Sequence, residues 1–132
     1  MSSVATQLQS PRGILLTPNI LFSSMVTGTA AAVGNEVAVA GDLTEAEGLC
    51  RDRPVSFLII DLSVAEPDIA TIVTRLRAAV GAVPAIAFGS HVDKARLDEA
   101  RAAGCDEVMP RSRFSSELPA LLRRYSAGSR AE

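Results

Sequence analysis

The amino-acid sequence predicts a single α/β domain built on a parallel five-stranded sheet. Short apolar runs of strand length alternate along the chain with segments whose apolar residues recur at helical spacing. The connections between them are short, and this alternation is typical of strand–helix–strand crossovers that cover both faces of a parallel sheet. A length of 132 residues suits one such domain and is too short for two of ordinary size.

The first strand is predicted at residues 14–16, an apolar run of three residues. A helix is expected over residues 22–33. Ser23 or Ser24 is its candidate N-cap, because a serine oxygen can accept a hydrogen bond from the first free amides of a helix. Gly34 lies just beyond its end, where helices often stop.

The middle elements have clearer signals. Residues 36–40 are predicted to form a short strand because they include β-branched residues, and a helix is predicted over residues 43–51. Residues 55–60 are a continuous apolar run, which is typical of a strand buried on both faces. The third helix begins near Pro67 or Asp68 and carries one apolar stripe. Its members are Ile69, Ile72, Val73, Leu76 and Val80.

The last four elements repeat the alternation. Strand four is predicted at residues 84–88 and strand five at 107–109. Helix four is expected over residues 93–103, with Asp93 as its cap. Helix five is expected from about residue 116 to 125. Residues 13–125 would then form the domain, between a flexible leader (1–12) and a flexible tail (126–132).

Composition excludes several functions. The formal net charge is −2 and the pI is about 5.4, so no general basic field would attract nucleic acid or an anionic membrane. Aromatic residues make up 4% of the chain, which leaves few platforms for base stacking. No apolar run approaches the ~20 residues of a membrane span. Cys50 and Cys105 lack metal-binding or redox spacing and are expected to be reduced thiols lining the core. These features predict a soluble cytoplasmic protein.

Four segments carry a family resemblance. The stretches VPAIAFGSHVD (residues 83–93) and ARAAGCDEVMPR (100–111) resemble the fourth strand with its loop and the segment around the fifth strand of response-regulator receiver domains. Residues 41–46 resemble the start of their second helix. Residues 58–61 resemble the strand that ends in the phosphoacceptor aspartate. The resemblance implies a flavodoxin-like (βα)5 fold with sheet order 2-1-3-4-5 and a role in two-component signalling or a phosphorelay.

The same resemblance places Asp61 at the phosphoacceptor position. In the family, a pair of acids after strand one holds Mg²⁺, a cation that requires hard oxygen ligands. The corresponding positions are Thr17, Pro18 and Asn19, and no Asp or Glu occurs before Glu36. A Mg²⁺ site is therefore not expected.

The other catalytic positions also depart from the family. The hydroxyl position falls on Gly89, followed by Ser90, and the lysine position falls on Arg111. Arginine keeps the positive charge but replaces a point ammonium with a broader planar group. We expect Asp61 and Arg111 to form a standing ion pair across the mouth of the degenerate pocket.

These departures predict a stand-alone pseudo-receiver: a protein-interaction module that acts without phosphorylation and is not an enzyme. Two alternatives stay open. The chain could still be phosphorylated on Asp61, with Glu66 or Asp68 reaching back as metal ligands. It could instead bind a small molecule at the carboxyl ends of the strands, although a fold alone is a weak argument for a ligand.

A protein partner is expected on the surface formed by helix four, strand five and helix five. The two helices hold more apolar residues than one buried stripe requires, and a homodimer through this surface is the preferred arrangement. The candidate interface residues are Ala95, Ala102, Leu118 and Leu122. Arg96 is spaced to pair with Glu99 on the solvent face of helix four.

Overall fold

A computed structural model describes residues 10–64 and 66–125. Within these ranges, five strands alternate with five helices. The strands are β1 (Arg12–Leu16), β2 (Val37–Ala40), β3 (Val55–Asp61), β4 (Ala85–Gly89) and β5 (Glu107–Pro110). The helices are α1 (Ile20–Ala32), α2 (Leu43–Asp52), α3 (Ile69–Val80), α4 (Lys94–Ala102) and α5 (Arg111–Arg124). All strand pairs are parallel, and the sheet order β2-β1-β3-β4-β5 confirms the predicted one.

The sheet carries helices on both faces because its strands point alternate side chains to opposite sides. In β1, Ile14 and Leu16 join the core beneath α2, α3 and α4, whereas Leu15 joins the core beneath α1 and α5. All seven residues of β3 are buried, as expected for the central strand of a doubly covered sheet. Since the strands are parallel, their carboxyl ends, including Asp61, meet at one edge of the sheet.

Helix α1 begins earlier than the sequence predicted. Its N-cap is Asn19, whose side-chain Oδ1 accepts a hydrogen bond from the amide of Phe22 at 2.9 Å. The predicted caps are wrong: the hydroxyls of Ser23 and Ser24 both donate back to the carbonyl of Ile20 inside the helix. Asparagine and serine cap almost equally well, so the capping preference of the residue types does not favour Ser23 or Ser24 over Asn19.

Helix α5 begins at Arg111, five residues before the predicted start. Its N-cap is Pro110, whose side chain makes no capping hydrogen bond, so the usual polar start signal is missing. The buried stripe begins at Phe114 and continues with Leu118, Leu121 and Leu122. The interior Pro119 also obscured the pattern, because proline normally interrupts a helix.

The ends of the domain differ slightly from expectation. Strand β1 begins at Arg12, so the last residue of the predicted leader belongs to the sheet. The rest of that leader up to residue 9, and the predicted tail at 126–132, lie outside the described residues. Among the described helices, none combines the length and apolar character required to cross a membrane.

Both cysteines are free thiols, with Cys50 buried and Cys105 half-buried. Burial raises the pKa of Cys105 to about 11 and also raises the pKa of Cys50. Both groups are therefore neutral at physiological pH and poor nucleophiles. Because the folded-state pKa of Cys105 is above its ordinary value of 9.0, its contribution to stability is present below pH 9 and is lost as the pH rises toward 11.

Candidate functional site

Asp61 is the last residue of β3 and its side chain is fully buried. Three donors surround its carboxylate. The hydroxyl of Thr17 donates to Oδ2 at 2.7 Å, and the amide of Ser63 donates to Oδ1 at 2.9 Å. The guanidinium of Arg111 lies 3.3 Å from Oδ1. A buried carboxylate is tolerated only when such donors and a counter-charge replace its hydration.

Thr17 connects this carboxylate to helix α1. The residue directly follows β1, is 2% exposed, and accepts a hydrogen bond from the amide of Asn19 at 3.1 Å while its own hydroxyl donates to Asp61. Asn19 in turn caps α1. A continuous chain of hydrogen bonds therefore runs from the buried carboxylate to the first turn of that helix. Pro18, between them, is exposed.

Arg111 is held from two sides. Its guanidinium carbon lies 5.2 Å from the ring centroid of Phe22 and 5.0 Å from that of Phe88, within the range of cation–π attraction. The residue opens α5, where the helix dipole disfavours a cation. The ion pair with Asp61 and the two ring faces offset that cost, and they keep the predicted Asp61–Arg111 pair in one geometry.

The aromatic support of this ion pair was not predicted from the sequence. The rings of Phe88 and Phe114 stack at 4.4 Å, and Phe22 lies 4.9 Å from Phe88. These are three of the four phenylalanines in the chain. They lie on three different elements, so no local spacing could have grouped them. Their scarcity in a Val/Leu/Ala-rich sequence was the one available signal.

A cavity of about 290 Å³ lies beside the ion pair at the carboxyl ends of β3 and β4. Its polar lining comes from Ser63, Ser90, Asp93, Arg96 and Arg111. The placement of Arg96 corrects a prediction. Its guanidinium does not pair with Glu99 but donates to the carbonyl of Val64 at 2.7 Å. Arg96 thereby turns toward the strand ends instead of lying along the solvent face of α4.

The fold is similar to that of several solved response-regulator and receiver-domain structures. A response regulator from Thermotoga maritima superposes with a TM-score of 0.74 at 15% identity, over 89% of this chain and 98% of that one. A chemotaxis response regulator, CheY4 of Vibrio cholerae, gives 0.74 at 18% identity, over 89% and 99%. The receiver domain of a sensor histidine kinase from Pseudomonas aeruginosa, solved with magnesium in its active-site cleft, gives 0.74 at 18%, over 92% and 100%. The chain has the receiver fold. No protein-family model and no curated protein matches the sequence.

Within this receiver fold, the residues at the Mg²⁺ position do not suit the ion. Magnesium requires near-octahedral oxygen ligation, usually with one or two carboxylates. Here Thr17, Pro18 and Asn19 follow β1, and both oxygens of Asp61 already accept hydrogen bonds. Over residues 10–64 and 66–125, no three His, Cys, Asp or Glu side chains cluster as a metal site.

The position predicted for the receiver hydroxyl is also crowded. Gly89 ends β4, and a Cβ atom placed there would lie 3.1 Å from Cβ and 3.2 Å from Cδ1 of Leu62. Contacts that short require a neighbour to move, yet Leu62 is 3% exposed and held in the core. The leucine side chain fills the space into which a hydroxyl-bearing residue would extend, so Gly89 and Leu62 are complementary.

The predicted interface on the α4–β5–α5 side of the receiver fold needs correction. Leu118 and Leu122 are each 1% exposed and belong to the core beneath α5, so they cannot contact a partner. Ala95 and Ala102 are exposed on α4. Helix α5 needs its whole apolar stripe to cover one face of the sheet, so only the two alanines of the four predicted interface residues lie on the surface. A homodimer through this side stays a prediction.

Proposed function

We propose that this chain is a phosphorylation-independent protein-interaction module of receiver fold that acts in signal transduction. One observation carries the proposal: the carboxylate at the phosphoacceptor position is fully buried and is bonded to Thr17, Ser63 and Arg111. A phosphoacceptor must present a free oxygen to an incoming phosphoryl group. Asp61 instead has the role of an anchor that ties β1, β3 and α5 together.

Electrostatics supports the same conclusion. Stabilisation of the charge that develops in the transition state is the main catalytic contribution to phosphoryl transfer, and cations placed around the phosphoryl group supply it. At this site the one neighbouring cation that bonds Asp61, Arg111, already neutralises the carboxylate itself. A phosphoryl group would bring further negative charge, and over residues 10–64 and 66–125 no cluster of three His, Cys, Asp or Glu side chains is present to hold a metal ion beside it.

The alternative of phosphorylation assisted by Glu66 or Asp68 has little structural support. Both residues are exposed. The Oδ1 atom of Asp68 accepts a hydrogen bond from the hydroxyl of Thr71 at 2.7 Å, and this bond is the main cause that lowers the pKa of the Asp68 carboxyl. Asp68 is thus engaged with the first turn of α3 rather than with the pocket.

Incubation with acetyl phosphate and Mg²⁺, followed by intact-mass spectrometry, tests the proposal. We expect no mass gain, while a working receiver treated in parallel gains one phosphoryl group. An Asp61→Asn variant is the matched control for labelling elsewhere. A phosphoryl adduct on the native protein that is absent from Asp61→Asn would mean that the site still functions and that the proposal is wrong.

Binding of a small molecule is the second candidate, and the cavity beside the ion pair favours it. Two guanidinium groups, Arg96 and Arg111, outnumber the single carboxylate of Asp93 around a space of about 290 Å³, which the hydroxyl-bearing Ser63 and Ser90 also border. This volume is at the low end of ligand sites and suits a small anion. Native mass spectrometry of the purified protein distinguishes the two functions. A bound species that is lost in an Arg96→Ala variant would favour small-molecule binding over the protein-interaction module.

A further inference from the structure

The exposed apolar side chains of this domain are concentrated on one helix. Among the described residues, four large hydrophobic side chains are exposed: Ile20 (80%), Leu21 (84%), Met25 (40%) and Val92 (76%). Three of the four lie within the first six residues of α1. Single exposed hydrophobics are ordinary on protein surfaces, but a contiguous group indicates an interaction site.

Helix α1 also differs from the other four helices in charge. No charged residue occurs from Gly13 to Asn35, whereas α2, α3, α4 and α5 all carry charged side chains. The exposed side of the helix also holds the small residues Ser24, Gly28 and Ala31, of which only the uncharged hydroxyl of Ser24 is polar. A surface helix usually has a charged outer face that keeps it in solvent. The outer face of α1 instead has the character of a surface that another protein covers.

We infer that the outer face of α1, formed by Ile20, Leu21, Met25 and Gly28, binds the same face of a second copy of the chain. In a two-fold interface, the same surface of each copy faces that of the other. A charged residue on that surface therefore lies close to the like charge of the partner copy, which repels it. A face without charges avoids this repulsion completely. An added Cβ at Gly28 would meet no atom within 4 Å, so the backbone there is open to close approach by a partner helix.

The size of the surface sets the expected affinity. Thirteen residues make a helix about 20 Å long, and its exposed face supplies less than the ~800 Å² per partner of a standard stable interface. The association is therefore weak, with an expected dissociation constant between about 10 μM and about 1 mM. It is concentration-dependent and does not make the dimer obligate.

The Asp61 site positions this surface. Asn19 caps α1 and bonds to Thr17, and Thr17 bonds to Asp61. Phe22, in the first turn of the helix, lies against Arg111. The first turn of α1 is thus held in place without a phosphoryl group. In this respect the inference deepens the proposed function by naming a partner, and it rests on that function only for independence from phosphorylation.

Sedimentation equilibrium of the full chain, from about 10 μM to about 1 mM, tests the inference. We expect the weight-average mass to rise from monomer toward dimer. Leu21→Lys places a charge on the face and is expected to raise the dissociation constant ~10-fold or more, because buried anchors dominate interface energetics. The matched control is Val92→Lys, which places the same charge on an equally exposed apolar residue of the β4–α4 connection and is expected to leave the dissociation constant unchanged.

Circular dichroism melting of both variants checks that they remain folded, and a second substitution, Met25→Lys, guards against an effect peculiar to Leu21. A chain that stays monomeric at 1 mM would overturn the inference and leave the face to a different partner. Dimerisation that survives both Leu21→Lys and Met25→Lys would overturn it too. Neither result bears on the acetyl phosphate experiment, so the inference and the proposed function can fail separately.

Discussion

Replacement of Arg111 by alanine is expected to lower the free energy of unfolding by about 2–4 kcal/mol, because it leaves the carboxylate of Asp61 buried without a counter-charge. Asp61 is fully buried, whereas 37% of the Arg111 side chain is exposed. Because solvent screens part of this interaction, the expected loss of unfolding free energy is smaller than the largest losses for fully buried ion pairs. Removal of the contacts with the rings of Phe22 and Phe88 adds to the loss. Urea unfolding followed by circular dichroism measures the change.

Two comparisons isolate the cause. Arg113→Ala removes an arginine two residues away whose ion pair with Glu117 is exposed, and it is expected to cost less than about 0.5 kcal/mol. In the double variant Asp61→Asn/Arg111→Ala the buried charge is gone, so most of the loss should be recovered. If Arg111→Ala were as stable as the native protein, the ion pair would have no structural role and the account of Asp61 as an anchor would be wrong.

Gly13→Ala is expected to have a comparable or larger effect, about 3 kcal/mol or more of lost stability, since overpacking of a rigid core is costly. A Cβ at Gly13 would lie 2.3 to 2.8 Å from three atoms of the Phe57 ring. Phe57 is fully buried and lies beside Tyr125. Strand β1 is hydrogen-bonded to β2 on one side and to β3 on the other, so neither the strand nor the ring can move without breaking other contacts.

Gly48→Ala is the matched control for Gly13→Ala. Gly48 lies inside α2 with no atom within 4 Å of an added Cβ, so alanine there should stabilise the protein by roughly 0.5–1 kcal/mol through its higher helix propensity. Urea midpoints of the two variants should shift in opposite directions. A Gly13→Ala protein with native stability would show that Phe57 can repack and that the β1–β3 contact is looser than the structure indicates.

Much of the architecture could be read from the sequence because it depends on local patterns. The apolar run of β3 and the stripe of α3 specify their elements directly, and strict alternation with short connections specifies a parallel sheet. The cap of α4 was likewise predictable: Asp93 accepts a hydrogen bond from the amide of Arg96. The start of α5 was not, because Pro110 offers no polar cap and Pro119 interrupts the pattern.

The site was only partly predictable from the sequence. Asp61, Thr17 and Arg111 could be named because the resemblance to receivers specifies positions at the strand ends. The aromatic rings that hold Arg111, the amide of Ser63 and the inward turn of Arg96 depend on contacts between distant segments. The same limit explains why two of the predicted interface residues were wrong: Leu118 and Leu122 are needed by the core. The uncharged face of α1 likewise becomes noticeable only when exposure is known.

The most direct test of the central claim is a set of amide NMR spectra of the free protein, of the protein with Mg²⁺, and of the protein with Mg²⁺ and beryllofluoride as a phosphoryl mimic. The role of Asp61 as an anchor predicts unchanged spectra at millimolar additions, because its carboxylate is fully buried among three donors and already paired with Arg111. Chemical-shift changes clustered around Thr17, Asp61, Gly89 and Arg111 would contradict it and would identify a working phosphoryl-acceptor site.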